Sequence, residues 1–168
     1  KLERTTEKRV VALMQNELQY EYLGNWEERD NNSNVEEEIL ETWLLKRYDQ
    51  NLTNKAIYEF TKAVNDQSKS LYDVNKEVYS LLRYGVTVQP EIGQNKKTVW
   101  LIDWKNPLAN HFAIAEEVTI KGIHKKRPDI VLYVNGIALG VLELKRSTVS
   151  ISEGIRQNLD NQKHLFIK

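Results

Sequence analysis

Two acids and a lysine flank one apolar stretch, "RPDIVLYVNGIALGVLELK" at residues 127 to 145: Asp129 follows Pro128, and Glu143 and Lys145 stand in the spacing E-x-K. Two carboxylates brought together repel and raise each other's pKa unless a divalent cation neutralises them. Oxygen ligands of this kind select Mg²⁺ or Mn²⁺, and the backbone carbonyl of Leu144 offers a further oxygen between Glu143 and Lys145. Lys145, two residues beyond Glu143, shares its side of a strand. An amine there can orient or deprotonate a water while the cation polarises a phosphate oxygen. The chemistry supported is hydrolysis of a phosphodiester. The competing reading is that strand-end acids and lysines are solvated caps, since P-D and E-x-K at a free spacing form a weak motif.

The elements that must position these groups are two strands around Asn135-Gly136. From Ile130 to Val134 and from Ile137 to Leu142 nearly every residue is apolar, which predicts central strands covered on both faces. Charge is tolerated in such strands only at their mouth, where Asp129, Glu143 and Lys145 fall. Register decides whether they can cooperate. A two-residue type I′ turn at Asn135-Gly136, which the local signal favours, puts Asp129 and Glu143 on opposite faces. A three-residue loop with Gly136 as a left-handed bulge residue sets Asp129 across from Val141 and puts Asp129, Glu143 and Lys145 on one face. A shared cation requires that loop or a bulge elsewhere.

The rest of the chain supplies a framework. Its 168 residues, 40% apolar and 29% charged, suit one globular domain with a core, and 24 basic and 24 acidic residues cancel, so any attraction to a polyanion must be local. The absence of Cys excludes a disulfide framework and fits a reducing compartment, so a cytoplasmic location is expected. No apolar run is long enough to span a membrane, and the start has no signal peptide. The chain begins without Met and stops at "HLFIK", from which a fragment of something longer is expected. Residues 1–85 read mainly as helices: one from Thr6 to about Gln19 with a stripe of Val10, Val11, Leu13, Met14 and Leu18, one opened by a Ser33/Glu36 capping box, then "NKAIYEFTKAV" and a helix running from Ser70 to Gly85. Residues 86–168 carry the strands "VTVQPEI", "TVWLIDW" and "HFAIAEEVTI", the hairpin, a helix with Ser150 and Glu153 in capping-box spacing, and the start of a strand at "LFI". The expected fold is α/β, a mixed sheet flanked by helices.

The hairpin resembles the PD-(D/E)xK nuclease motif as it occurs in the restriction (R) subunit of type I restriction-modification enzymes, and "LIDWKNPLANHFAIAEEVTI" and "NKEVYSLLRYGVTV" are similar to the stretches before that motif. The likeness covers nearly the whole chain. It implies a restriction-endonuclease-like core with an additional helical layer, Mg²⁺-dependent cleavage of double-stranded DNA, and assembly with methyltransferase and specificity subunits in a prokaryotic cytoplasm. Carried onto this sequence, Asp129 and Glu143 bind metal and Lys145 serves the attacking water, while Glu7 in the first helix matches an acid that leans toward the metal. The family's Q-x-x-x-Y signature finds Gln157, but Asn161 stands where Tyr is expected, which leaves an amide to hydrogen-bond a phosphate. The subunit's ATP-dependent motor domains lie C-terminal to the nuclease. No G-x-x-x-x-G-K-[ST] occurs here, so this part does not bind ATP in that way.

Before Asp129 the loop "KGIHKKRPD" gathers Lys121, His124, Lys125, Lys126 and Arg127. It is either a solvated loop or, beside a cleavage site and joined by Arg146, a holder of phosphates that reads no bases. His111, His124 and His164 show no paired ligand spacing, Trp43, Trp100 and Trp104 read as core, and Trp26 has no assignment. Two other readings stand beside the restriction subunit: a stand-alone nuclease of another DNA pathway, and a catalytically silent module of the same fold that binds DNA or partner subunits.

Overall fold

Val11 and Met14 fall on one side of a helix, whereas Leu18 lies past the point where the chain must turn into a strand. In the computed structural model, which describes residues 2–119, 127–144, 152, 153, 155, 156 and 159, the first helix accordingly ends sooner than its apolar stripe suggests. Along the chain come α1 (Leu2–Asn16), β1 (Glu21–Asn25), α2 (Glu37–Leu45), α3 (Gln50–Val64), α4 (Leu71–Tyr84), β2 (Val86–Val88), β3 (Lys97–Val99), a short 3-10 turn (Pro107–Ala109), β4 (Phe112–Glu116), β5 (Ile130–Val134) and β6 (Ile137–Leu142). The Tyr20 N–H closes the end of α1 on the Met14 carbonyl at 2.9 Å, and Leu13 and Leu18 stay exposed, contrary to the expected stripe.

The chain forms two compact units that interleave in sequence. The first holds the described residues of Lys1–Asn34, Phe112–Tyr133 and Ala138–Lys168; the second is Val35–His111 with Val134–Ile137. In the first unit the sheet order is β1-β4-β5-β6. β1 runs parallel to β4 with one residue, Leu23, bulged out of the ladder. β5 runs antiparallel to β4: Glu117 N donates to Asp129 O at one end and Asn135 N to His111 O at the other, so the numbers rise on one strand as they fall on the other. Val11 and Met14 of α1 cover Ile114 and Ile130 on one face; Trp26, Val118, Val131 and Tyr133 pack on the other. β1 has no counterpart among the strands expected from sequence, since "YEYLGN" lacks a sustained alternation and its burial is uniform through Tyr22, Leu23 and Gly24. Trp26 just after it is buried, its ring 5.6 Å from that of Tyr133 and capped by Arg29 at 3.9 Å. β5 is central as expected. β6 is an edge strand among the described residues, with Leu139 46% exposed, so the expectation of two fully covered strands holds for one.

In the second unit α2, α3 and α4 enclose Leu40, Leu44, Phe60 and Val99. Asp49 caps α3 through Leu52 N and Ser70 caps α4 through Asp73 N, while Gly85 ends α4 as its sequence predicts. The Ser33/Glu36 capping box does not form. Glu36 occupies the N-cap with no capping hydrogen bond from its side chain, since Val35 is drawn into a bridge with Ile137 and Glu36 N donates to Gly136 O at 2.7 Å. β2 and β3 make their own two-stranded sheet, with Val86 opposite Val99. Trp43 is core, its indole N–H on Ala109 O; Trp100 and Trp104 are 42% and 46% exposed, contrary to their assignment as core.

Candidate active site

The Asn-Gly pair behaves as local chemistry dictates. Asn135 and Gly136 have φ of 51° and 82°, both left-handed, which is the two-residue type I′ turn and not the three-residue loop. Asn135 is fully buried at the tip. Its carboxamide accepts from His111 N at 2.7 Å and donates to Leu101 O at 2.9 Å and Asn110 Oδ1 at 2.8 Å. Asn110 in turn spans the "DWKNPLAN" loop, accepting from Asp103 N and donating to Asp103 O and Pro107 O. The turn and the "DWKNPLAN" loop are therefore one hydrogen-bonded piece.

With that turn, a regular hairpin would leave Asp129 and Glu143 on opposite faces. β6 is not regular. Ala138 and Val141, three residues apart, both pack in the cluster of Val131 and Tyr133, whereas Leu142 and Leu144 pack with Ile130 and Leu132 on the other side. A Cβ on Gly140 would lie 3.7 Å from that of Leu132, which agrees. A period of two cannot put Ala138 and Val141 on one face unless one extra residue intervenes, so β6 carries a bulge next to the exposed Leu139. Alternation continued from Val131 and from Val141 then assigns Asp129 and Glu143 to the same side. The strand ends are tied as well: Asp129 Oδ2 accepts from Leu144 N at 2.5 Å. Asp129, Glu143 and Leu144 are all partly buried.

The donor set suits a hard divalent cation: the second carboxylate oxygen of Asp129, the Glu143 carboxylate and the Leu144 carbonyl are all oxygens on adjoining strand ends. Among the described residues no three acidic or histidine side chains converge at ligand spacing, so Glu7 does not join Asp129 and Glu143 in a preformed triad. Glu7 is half-buried on α1 and its charge reaches Tyr22. The Tyr22 hydroxyl donates to Glu116, and burial first, then that bond and the charges of Glu116 and Glu7, push the phenol up to about 12. Arg127 is engaged: it bonds Glu27 and, at 2.6 Å, Glu117. Burial raises the Glu117 pKa, Arg127 opposes this, and the Asp129 charge adds to the rise, so Glu117 stands within electrostatic reach of Asp129. Tyr22, Glu27, Glu116 and Glu117 are not among the residues expected from sequence to act; the adjacent acids Glu116 and Glu117 closing β4 are the signal that could have found part of this set. Lys121, His124, Lys125, Lys126, Lys145, Arg146, Gln157, Asn161 and His164 lie outside the described residues, as do Ser150 and "LFI".

Comparison with known proteins identifies a family for the chain as a whole. The family model described as "Type I restriction enzyme R protein N terminus" matches residues 1–167. The EcoprrI type I restriction enzyme endonuclease subunit of Escherichia coli is 34% identical over 61 residues, 36% of this chain and 20% of that protein. The SsaAORF53P type I restriction enzyme endonuclease subunit of Staphylococcus saprophyticus is 24% identical over 115 residues, 68% of this chain and 10% of that protein. The chain thus spans a fifth or less of the length of these curated relatives. With the match running over all but the last residue, the chain belongs to the family of type I restriction enzyme R protein N termini.

Proposed function

We propose that this domain hydrolyses phosphodiester bonds of double-stranded DNA as the nuclease part of a type I restriction enzyme R subunit. The observation that supports the reading is the packing of Ala138 and Val141 in one cluster, a spacing that calls for a bulge in β6 and so for Asp129 and Glu143 on one side of the hairpin although the turn alone would separate them. Asp129, Glu143 and the Leu144 carbonyl would hold Mg²⁺, which when bound polarises a phosphate oxygen and neutralises the developing charge. Asp129 is oriented for this by Leu144 N. Lys145 orients or deprotonates the attacking water. Lys125, Lys126, Arg127 and Arg146 hold phosphates, Arg127 after exchanging Glu27 or Glu117 for DNA, and Gln157 and Asn161 bond the phosphate backbone beside the site. Glu7, whose charge reaches Tyr22 on the α1 face of the sheet, is left out of this ligand set. The working assembly joins this domain to C-terminal motor domains of the same subunit, which use ATP, and to methyltransferase and specificity subunits in a prokaryotic cytoplasm. No described helix is long and apolar enough to cross a membrane.

The test is Mg²⁺-dependent nicking of plasmid DNA by this chain and by the longest natural form of the subunit in its complex, with Lys145→Ala as control. Asp129→Asn abolishes cleavage, and since an amide oxygen still accepts from Leu144 N, it leaves the metal-free melting temperature unchanged or raised. Normal cutting by Asp129→Asn or Lys145→Ala overturns the catalytic assignment. A clear loss of metal-free stability in Asp129→Asn makes Asp129 a structural cap instead.

A further inference from the structure

Helix α4 packs Val78, Leu81 and Leu82 against the core of the second unit, so the opposite pole should be polar. It is not uniformly so. Tyr72, Lys76, Tyr79 and Arg83 follow i, i+4, i+7 and i+11, one stripe at 3.6 residues per turn. Tyr72 is 73% and Tyr79 64% exposed, and Tyr72, Lys76 and Tyr79 make no hydrogen bond or ion pair among the described residues. The acids of the helix lie off the stripe and are occupied: Glu77 pairs with Lys69 at 2.6 Å, and Asp73 takes the Ser70 hydroxyl at 2.5 Å. At the end of the stripe the Arg83 guanidinium stands over Trp104, 5.4 Å from the ring centre, and that indole is fixed by its N–H on Leu82 O at 2.8 Å.

The stripe therefore presents hydroxyl, ammonium, hydroxyl and guanidinium in a line, with the two cations about 10 Å apart along the axis. All four side chains can donate hydrogen bonds, and no carboxylate interrupts them. A protein-docking patch concentrates apolar residues and depletes charge at its centre, whereas here cations occupy alternate positions. A partner that offers only anionic acceptors along a line is a sugar-phosphate backbone, which Lys, Arg and Tyr side chains contact without reading sequence.

We propose that the α4 stripe of Tyr72, Lys76, Tyr79 and Arg83, braced by Trp104, binds the sugar-phosphate backbone of DNA as a holding surface separate from the acidic residues of the hairpin. It rests on the nuclease reading only for the choice of DNA as partner.

The experiment is fluorescence-anisotropy binding of the whole chain, in EDTA, to a duplex of arbitrary sequence and to one of its strands, titrated with salt. Lys76→Ala combined with Arg83→Ala weakens binding by roughly 60-fold at about 0.1 M salt, the difference vanishing toward about 1 M, and flattens the plot of log affinity against log salt by about two. Tyr72→Phe with Tyr79→Phe weakens it less, since only the hydroxyl donors are lost. Melting curves verify that these surface variants are folded. Failure of the wild-type chain to bind either DNA, or an unchanged affinity and slope in the double variant, overturns the proposal. So does a result in which Tyr72→Ser with Tyr79→Ser abolishes self-association or docking to the rest of the subunit while DNA binding survives, which makes the stripe a protein interface. The two readings fail separately: a slope change without any Mg²⁺-dependent cleavage sinks the nuclease assignment alone, and cleavage with an unchanged slope sinks this one alone.

Discussion

Asn135 gives the sharpest test of how the hairpin is held. Replacing it with Ala removes the acceptor of His111 N and the donors to Leu101 O and Asn110 Oδ1. The first two are backbone groups at a fully buried side chain, and each costs about 1–3 kcal/mol when it loses its partner there; Asn110 Oδ1 keeps Asp103 N and loses less. The left-handed φ of 51° adds about 1 kcal/mol for a residue with a Cβ and no carboxamide. The expected loss is about 5 kcal/mol, near the lower end of what a whole domain has to lose. Asn135→Gly loses the same bonds but not the backbone penalty, so it should be the more stable variant by about 1 kcal/mol. Urea unfolding followed by tryptophan fluorescence and circular dichroism measures both, and amide exchange at His111 reports the orphaned donor directly. An Asn135→Ala protein within about 1 kcal/mol of wild type, or no difference between the Ala and Gly variants, would refute the view that this side chain joins the turn to the "DWKNPLAN" loop.

Gly136→Ala should destabilise far more than Gly93→Ala in the same unfolding assay: both have left-handed φ, but a Cβ at Gly136 would lie 2.6 Å from Glu36 O, whereas one at Gly93 meets nothing within 4 Å. The Gly93 variant isolates the backbone term, about 1 kcal/mol. Alkaline absorbance titration should contain one tyrosine ionising at about 12 that is missing from Tyr22→Phe. Because folding raises this pKa above its ordinary value of 10.0, the stability it contributes is complete below pH 10.0 and is lost as pH climbs through about 12, so the stability gap between wild type and Tyr22→Phe should narrow over that window.

Much of this protein was legible because its signals are local. Ser70 and Gly85 bound α4 since each cap needs only a backbone group a few residues away, the Asp73 N–H for the Ser70 hydroxyl and the Leu81 carbonyl for the Gly85 N–H, and Asn135-Gly136 specified its own turn because two consecutive left-handed residues admit little else. The positions of Asp129 and Glu143 at strand mouths follow from apolar runs that tolerate no charge within them. Local rules misled where a distant strand competed for the same atoms. The bridge of Val35 to Ile137 took the backbone that a capping box at Ser33 would have used, and Trp26 gained its burial from Tyr133, far along the chain. Whether the two acids can work together was decided only in three dimensions. A strand's face parity changes with one extra residue, and where that residue is inserted depends on which side chains of β5 and β4 the strand packs against. The sequence thus determined the two candidate acids and the turn between them, while the face each acid takes follows from tertiary packing, in which Ala138 and Val141 join one cluster and Leu142 and Leu144 the other.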